Sequence, residues 1–299
     1  MRNTGESYPM SPKITRRQFI AGAIAAGAAM RSGEMMAAAP AKLKSLSDRV
    51  EIGKTGIKVS YLGIGTGTVG NGGQSNQTRL GPVKFARMIN HAYDQGINYF
   101  DCADTYGSHN YLRRSLARIP RENYVLQTKM WFRTDKDAKA QLERFLKELN
   151  TGYLDIVFLH CVSDTTWATD LRPMMDTLEE AKQKKLIRAH GLSIHSLDVL
   201  KGVAENAWAD HVFARINPVG TAMDGKPEEV VPVLRKIHAA GKGITGMKIL
   251  GEGRIADRRE ESLKYVLGLD CVDAIVIGFE SIAQIDEILA MGSRALAAK

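Results

Sequence analysis

The feature that most constrains the fold is a repeated alternation of short apolar runs with helical stripes along the chain. Counted from 61–65, eight runs with the composition of buried strands are each followed by a segment with helical periodicity. Eight such units in about 240 residues predict a closed (β/α)8 TIM barrel, of class α/β. An open doubly wound sheet has a switch point and usually fewer strands, so the barrel is favoured.

The predicted elements of this barrel run from residue 61 to residue 290. Seven of the helices are clear, whereas the helix after the second strand is short. The predicted strands are 61–65, 97–101, 124–129, 154–160, 187–192, 212–216, 243–249 and 274–277. The predicted helices are 82–95, 109–118, 135–150, 171–185, 197–206, 227–240, 258–267 and 282–290.

Two short runs ahead of the barrel predict an N-terminal β-hairpin. The segments 49–52 and 57–60 flank Gly53-Lys54-Thr55-Gly56, a turn sequence. No linker and no solenoid-like repeat follows. We therefore expect residues 42–299 to form one barrel domain.

The first 41 residues have the pattern of a targeting signal. Arg16-Arg17 precedes an apolar run, 19–30, and small residues at 37–41 offer a cleavage zone. The run is short for a membrane span, and its many alanines disfavour a docked amphipathic helix. The segment resembles bacterial twin-arginine (Tat) signals. That resemblance implies recognition by the Tat translocation machinery and export, to the periplasm or beyond, after folding with a bound cofactor.

Charge and cysteine content exclude several classes of function. The net charge is +8, but no basic cluster interleaved with aromatic residues follows the N-terminal segment, so a nucleic-acid surface is not predicted. No Cys-x-x-Cys or His-Glu-x-x-His spacing occurs, and a protein-bound metal is not predicted. Buried free thiols are expected at Cys102, Cys161 and Cys271.

A glycine-rich motif at 65–70 matches Gly-x-Gly-x-x-Gly after a strand. A dinucleotide turn also needs a helix that opens on the last glycine and an acid about 20 residues later. The following Asn-Gly-Gly-Gln-Ser-Asn is a poor helix start, and Asp101 lies too far along the chain. The motif therefore predicts a mobile loop over the barrel mouth, with Gly65 and Thr66 near the cofactor.

Three successive predicted strands each deliver an ionisable side chain to the same end of the barrel. The strands end at or near Asp101, Lys129 and His160, and Tyr106 follows the first of them by five residues. The carboxyl ends of barrel strands converge on one face, where enzyme active sites lie. These four residues are the predicted catalytic set.

Carbonyl reduction is a reaction that would use this set. A tyrosine is a weak acid at neutral pH, and an adjacent ammonium is expected to lower its pKa. Asp101 would keep Lys129 charged, and His160 would orient a carbonyl and share the proton. The hydride would come from a nicotinamide, because no side chain can supply one.

At these residues the chain resembles the aldo-keto reductase family. Phe100-Asp101-x-Ala103-x-x-Tyr106-Gly107 resembles its Asp–Tyr signature, and Lys129 and His160 stand where the family has its lysine and histidine. The resemblance covers about 48–289. It implies a barrel that binds NADPH without a Rossmann motif and reduces a small aldehyde or ketone, with Tyr106 as the acid.

The same resemblance implies a set of cofactor-binding residues, although several depart from the family pattern. Ile194 replaces the usual asparagine, Met247 replaces the usual aromatic residue under the nicotinamide, and core packing is the alternative for Met247. The predicted set is Gly65, Thr66, Asp101, Ser193, Asn217, Met247, Lys248, Leu250, Gly251, Gly253, Gly278, Glu280 and Gln284.

The nucleotide and the substrate pocket follow from neighbouring residues. The resemblance implies NADP(H), but Glu280 near the ribose would repel a 2′-phosphate, which leaves NAD(H) as the alternative. Trp131 and Phe132 follow a strand end and are expected to line the substrate pocket.

Two other functions compete with an exported reductase. One is a non-catalytic or sensory barrel that holds a nicotinamide as a subunit of an exported assembly. The other, a metal-dependent hydrolase, is disfavoured because no His-x-His or clustered carboxylates end the strands.

Overall fold

The computed structural model describes residues 43–133 and 136–298, so the predicted signal segment 1–41 lies outside the described residues. The chain begins with the predicted hairpin. Strands β1 (Arg49–Glu51) and β2 (Lys58–Ser60) pair antiparallel, with Val50 opposite Val59.

Eight parallel strands then close into a barrel, which confirms the predicted (β/α)8 TIM fold with an N-terminal hairpin. The first strand, β3, pairs with the last, β10, and β10 pairs with β9. The strands are β3 (Leu62–Gly65), β4 (Tyr99–Asp101), β5 (Val125–Met130), β6 (Leu154–Val162), β7 (Ile187–Ile194), β8 (His211–Arg215), β9 (Gly243–Met247) and β10 (Ala274–Gly278).

Helices cover the outside of the barrel between successive strands. Two short ones, Asn76–Arg79 and Trp167–Asp170, were not predicted, and the last helix continues past the predicted residue 290. The longer helices are Gly81–Asp94, His109–Leu116, Ala138–Leu149, Arg172–Gln183, Leu197–Glu205, Pro227–Ala239, Arg259–Leu267 and Ile282–Ala297. No helix in the described ranges is both long and apolar enough to cross a bilayer.

The strand alternation divides the apolar side chains into two cores. Outward-facing residues such as Phe100 and Val157 pack against the helices, whereas inward-facing residues such as Tyr99, Val125 and Phe158 fill the barrel. Full burial of each large apolar side chain contributes about 1.5–3 kcal/mol. Both cores therefore stabilise the same cylinder, from its outer and inner faces.

The hairpin closes the N-terminal end of the barrel. Ile52, Ile57 and Val59 are fully buried and belong to the inner core. The hairpin turn is fixed to the far end of the chain, because Lys54 N donates to Gly241 O at 3.0 Å and Gly53 N donates to Asp273 Oδ2 at 3.1 Å. In the part of the chain that the structure describes, the opposite mouth, at the carboxyl ends of the strands, stays open.

Candidate active site

The four predicted catalytic residues meet at this mouth. Asp101 ends β4, Lys129 lies near the end of β5, and Tyr106 ends a short 3₁₀ turn, Asp104–Tyr106, after β4. Asp101 pairs in register with Gln127, two residues before Lys129. Alternation along β5 therefore puts Lys129 on the inward face, one step closer to the mouth than Gln127.

His160 follows the inward-facing Ile156 and Phe158 at alternate positions of β6 and lies at the mouth beside an irregularity in that strand. The strand continues to Val162, past the predicted end at residue 160, and its register with β7 shifts between Leu159 and Val162. Cys161 has a positive φ of 59°. Bulges of this kind redirect side chains beside active sites.

Asp101 and Lys129 form a buried ion pair. Lys129 Nζ donates to Asp101 Oδ1 and, at 2.9 Å, to the carbonyl of Cys102. Gln127 Nε2 donates to the same Asp101 oxygen at 2.6 Å. Burial raises the pKa of Asp101, and the bonds from Lys129 and Gln127 act against that rise. The carboxylate thus depends on both donors to remain charged.

The Tyr106 hydroxyl contacts His160 rather than Lys129. The hydroxyl lies 3.3 Å from His160 Nε2, whereas Lys129 Nζ lies over the phenol ring, 5.0 Å from its centroid. Burial, followed by the negative charge of Asp101, raises the pKa of Tyr106 well above its usual value. Lys129 does not bond the phenol oxygen, because its ammonium donates to Asp101 and Cys102, and burial and Asp101 outweigh the expected lowering of the Tyr106 pKa. Tyr106 is a protonated phenol here, the form that a proton donor requires.

His160 is neutral at the same mouth. Burial and then the charge of Lys129 lower its pKa well below the usual value. Its ring makes edge contacts with Tyr106, at 5.5 Å between centroids, and with Trp131, at 5.6 Å. Because Nε2 faces the phenol oxygen, this nitrogen can either accept the Tyr106 proton or share a hydrogen bond with it.

The glycine-rich loop covers one side of the Tyr106 ring. A Cβ on Gly67 would lie 2.1 Å from Tyr106 Cε2, and one on Gly70 would lie 2.5 Å from Cδ1. The next helix starts at Asn76, with Ser75 as its N-cap, and not at Gly70. This geometry agrees with the interpretation of the motif as a loop at the mouth rather than a dinucleotide turn.

A cleft of about 450 Å³ runs from the catalytic group to the start of the last helix. Such a volume is in the range of small-molecule and cofactor sites. The reactive end is lined by Asp101, Tyr106, Phe213 and Met247. Other predicted cofactor residues along its walls are Gly65, Lys248, Leu250, Gly253, Gly278, Glu280 and Gln284. An elongated cleft that begins beside Tyr106 fits an extended nucleotide with its reactive ring at that end.

Four of the predicted cofactor residues, Thr66, Ser193, Asn217 and Gly251, do not line the cleft. Thr66 Oγ1 donates to the carbonyl of Asp101 at 2.8 Å, and Asn217 Nδ2 donates to Thr221 O at 2.7 Å and Lys248 O at 3.1 Å. Ser193 and Gly251 are buried. Thr66 and Asn217 therefore hold the backbone that forms the cleft, instead of facing into it.

The predicted pocket aromatics lie at the same mouth. Trp131 contacts His160 edge-on, and its backbone N–H donates to Asp104 Oδ2 at 3.0 Å. Phe132 packs beside the Arg133 guanidinium, 5.3 Å from the ring centroid. Trp131 thus adjoins the catalytic set, and Phe132 lies farther along the same loop.

Sequence reasoning missed several residues of this site, among them Phe213, Glu287, Gln127 and Arg259. Gln127 could have been found, because it is a polar residue two positions before Lys129 and so shares its inward face. Arg259 gives no comparable signal. It lines the distal part of the cleft and donates to Glu287 at 2.7 and 2.9 Å, a contact between two helices.

Known proteins similar in sequence to this chain include oxidoreductases. An uncharacterized Bacillus subtilis oxidoreductase, YqkF, is 24% identical over 230 residues, which is 72% of this chain and 70% of that protein. The NADH-specific methylglyoxal reductase of Escherichia coli is 25% identical over 210 residues, 62% of this chain and 63% of that protein. The match to the latter therefore spans less than two thirds of its length.

Solved structures share the barrel. A Pseudomonas aeruginosa protein of the aldo-keto reductase class superposes with a TM-score of 0.70 at 26% identity, covering 85% of this chain and 97% of that one. A Klebsiella pneumoniae aldo-keto reductase, solved with NADPH, gives 0.62 at 18% identity over 84% and 89% of the two chains. The model of the aldo/keto reductase family matches residues 61–263. This chain belongs to the aldo/keto reductase family of oxidoreductases.

Proposed function

We propose that the protein reduces a small aldehyde or ketone to an alcohol, with a reduced nicotinamide as hydride donor and Tyr106 as general acid. The observation that supports this most directly is the placement of the Tyr106 hydroxyl 3.3 Å from His160 Nε2 at the reactive end of the cleft. The buried Asp101–Lys129 pair lies beneath the same phenol ring.

Each of the four residues has a separate role in this proposal. The Met247 end of the cleft would hold a reduced nicotinamide, which would supply the hydride. Tyr106 donates its proton to the carbonyl oxygen, and neutral His160 orients that oxygen through Nε2. The Lys129 ammonium, 5.0 Å from the ring, stabilises the phenolate that remains. Asp101 holds Lys129 in this position.

The distal cleft supports a preference for NAD(H). Glu280 and Glu287 both line it, while Arg259 is engaged by Glu287. A 2′-phosphate would meet a net negative charge there. The family resemblance favours NADP(H), and relatives of both kinds exist: the Escherichia coli relative is named as NADH-specific, and the Klebsiella pneumoniae structure contains NADPH. We propose NAD(H) as the preferred nucleotide and NADP(H) as the weaker one.

Replacement of Tyr106 by phenylalanine tests the reaction. With NADH and with NADPH, against a panel of aliphatic and aromatic aldehydes, Tyr106→Phe should lower kcat at least about 100-fold, the scale of general acid catalysis. Tyr111→Phe is a matched control, because Tyr111 packs on Phe85 outside the mouth and should keep full activity. Nucleotide binding, followed by tryptophan fluorescence, should be unchanged in both variants.

The outcomes separate the two nicotinamide hypotheses. Equal reduction rates in the wild type and Tyr106→Phe would reject Tyr106 as the acid. Nucleotide binding without turnover of any carbonyl by the wild type would instead favour the non-catalytic barrel of an exported assembly.

We further propose that residues 1–41 direct export through the Tat machinery. Support comes from Arg16-Arg17 ahead of an apolar, alanine-rich run, and from free thiols at all three cysteines, which suit cytoplasmic folding. In a bacterial host with a working Tat pathway, Arg16→Lys/Arg17→Lys should retain the protein in the cytoplasm, and Arg31→Lys should not. Retention of the unaltered full-length chain in the cytoplasm would reject export.

A further inference from the structure

The inside of the barrel contains a second set of polar side chains, below the catalytic mouth. Gln127, Tyr99, Thr245 and His211 are all fully buried, and none of them lines the cleft. Barrel interiors are usually filled by branched apolar side chains. These four polar side chains therefore do not contact a ligand in the cleft. Their polar groups bond to one another instead.

The four side chains form a continuous hydrogen-bonded series that ends at Asp101. His211 Nε2 lies 2.9 Å from Thr245 Oγ1, which lies 3.2 Å from the Tyr99 hydroxyl. The Tyr99 hydroxyl donates to Gln127 Oε1, and Gln127 Nε2 donates to Asp101 Oδ1 at 2.6 Å. The series therefore connects β8, β9, β4 and β5 with the carboxylate at the mouth.

Each hydroxyl has only one proton to donate, and this fixes the donor and the acceptor in every hydrogen bond of the series. The Tyr99 proton goes to Gln127, so the Tyr99–Thr245 contact must use the Thr245 proton. The Thr245 oxygen must then accept from His211 Nε2. His211 is consequently protonated on Nε2, which leaves Nδ1 as a bare acceptor. Nδ1 has no partner among the described residues, and this assignment avoids a stranded N–H there.

The opposite tautomer of His211 would satisfy the network less well. With its proton on Nδ1, that buried N–H would have no acceptor among the described residues. Thr245 would have to donate to His211 Nε2, and its contact with Tyr99 would then contain no proton. Burial lowers the pKa of His211 to about 3, so the ring is neutral and only these two tautomers compete.

The Tyr99–Thr245 contact needs a residue without a side chain at position 63. A Cβ on Gly63, in β3, would lie 2.7 Å from Tyr99 Cδ1. Because β3 and β10 separate β4 from β9, the Tyr99 ring passes over Gly63 to reach Thr245. The glycine is therefore a requirement of the Tyr99–Thr245 contact.

We propose that His211, Thr245, Tyr99 and Gln127 form a one-directional hydrogen-bond chain that holds the Asp101 carboxylate ionised and in place beside Lys129. All four are positioning residues. Each donor in such a chain polarises the next, so the last one, the Gln127 amide, donates to Asp101 more strongly than an isolated amide would. The catalytic consequence rests on the proposed carbonyl reduction, but the chain itself does not.

The chain acts on Asp101 together with the charges that surround it. Lys129 from β5 and Lys248 from the loop after β9 favour the carboxylate. The phenols of Tyr99 and Tyr106 face it as neutral groups, since burial raises the pKa of both. With these neighbours unchanged, loss of the Gln127 donor must raise the pKa of Asp101.

The pH dependence of kcat/KM tests the chain through catalysis. In Gln127→Met, the acid limb of the pH profile, which reports protonation of Asp101, should move to higher pH by about one to two units. This is the scale of one lost hydrogen bond to a charged group. Tyr99→Phe leaves the Gln127 amide in place but free to rotate. The acid limb should therefore move to higher pH in this variant too, by a smaller amount than in Gln127→Met. Tyr61→Phe is the matched control, because this buried tyrosine donates to Val266 O outside the barrel and should leave the limb unchanged. An acid limb in Gln127→Met that coincides with the wild type would overturn the proposal.

NMR of the purified full chain tests the same idea without any turnover. In protein labelled at aspartate carboxyl carbons and histidine ring nitrogens, His211 should be in the Nε2–H form, and the Asp101 carboxyl should titrate at higher pH in Tyr99→Phe than in Tyr61→Phe. A His211 Nδ1–H tautomer, or identical Asp101 titrations in the two variants, would reject the chain. If the wild type reduces no carbonyl while these spectra agree, the proposed function fails and the chain stands.

Discussion

Lys129 and Tyr106 are neighbours through the face of the phenol ring. The ammonium lies 5.0 Å from the ring centroid and donates its hydrogen bonds to Asp101 and Cys102 instead of to the phenol oxygen. A cation over a ring face is attracted to it, and more strongly so once the ring carries a negative charge. Burial and the Asp101 charge outweigh this attraction and keep the resting phenol protonated, while the ammonium lies where it would stabilise a phenolate left by proton transfer.

The first prediction concerns the loop that covers Tyr106. Gly67→Ala should lower kcat by about 10-fold or more, because its Cβ, 2.1 Å from the Tyr106 ring, must displace the phenol from His160. Gly202→Ala is the control. Nothing lies within 4 Å of its Cβ, and an alanine within helix Leu197–Glu205 should stabilise the fold by about 1 kcal/mol without a change in kcat. Equal activity in both variants would mean that the loop does not fix the ring.

The second prediction concerns the buried ion pair. Lys129→Met should reduce the free energy of unfolding by about 3–5 kcal/mol at pH 7, because it strands the Asp101 carboxylate in the barrel. Lys129→Met/Asp101→Asn should recover much of this loss. Urea unfolding of the wild type, both single variants and the double variant gives the coupling between the two residues. Additive losses would argue against a direct interaction.

The third prediction concerns pH and stability. Burial opposes protonation of His109, but Cys102 and the Glu148 carboxylate raise the pKa of His109 to about 9 in the folded protein. Because this value exceeds the unfolded one, the stabilisation is fully present below about pH 6.5 and is lost as the pH rises through about 9. At pH 6, His109→Gln should therefore destabilise the fold by about 3 kcal/mol.

Urea unfolding at several pH values checks this behaviour. The difference between the wild type and His109→Gln should shrink between pH 6.5 and 9. Glu148→Gln removes one of the two groups that raise this pKa, a partner at 2.7 Å, and should weaken the same dependence. A difference that stays constant over this range would contradict a linked protonation.

The fourth prediction concerns nucleotide choice. Glu287→Gln frees Arg259, and Glu280→Gln removes the second carboxylate, so each should raise the NADPH-to-NADH ratio of kcat/KM by about 5- to 10-fold. Asp286→Asn is the control, because Asp286 lies on the same helix but pairs with His91 at 2.6 Å away from the cleft. A ratio that moves equally in all three variants would point to a general charge effect.

The barrel could be predicted because its signal is local. Apolar runs and helical stripes repeat with clear periods, and the fold needs only that each run become a strand. The meeting of Asp101, Tyr106, Lys129 and His160 followed from the fold, since parallel strands in a barrel bring their carboxyl ends to one mouth. The bulge in β6 extended the strand past His160 without moving that residue from the mouth.

The contacts within the mouth could not be predicted in the same way. Whether the Lys129 ammonium binds Asp101 or the Tyr106 oxygen depends on side-chain rotamers and on the carbonyl of Cys102. Arg259 and Glu287 meet across 28 residues on separate helices, and no periodicity relates them. These features depend on long-range packing, which a sequence pattern does not record.

The hairpin constrains the order in which the barrel can fold during synthesis of the chain. Its side chains Ile52, Ile57 and Val59 form the floor of the barrel, yet its turn N–H groups donate to the Gly241 carbonyl and the Asp273 carboxylate, far along the chain. The floor can close only after the last two strands have been made. A truncated product that lacks them would expose these three residues to solvent, and it would be a substrate for proteolysis rather than a smaller barrel.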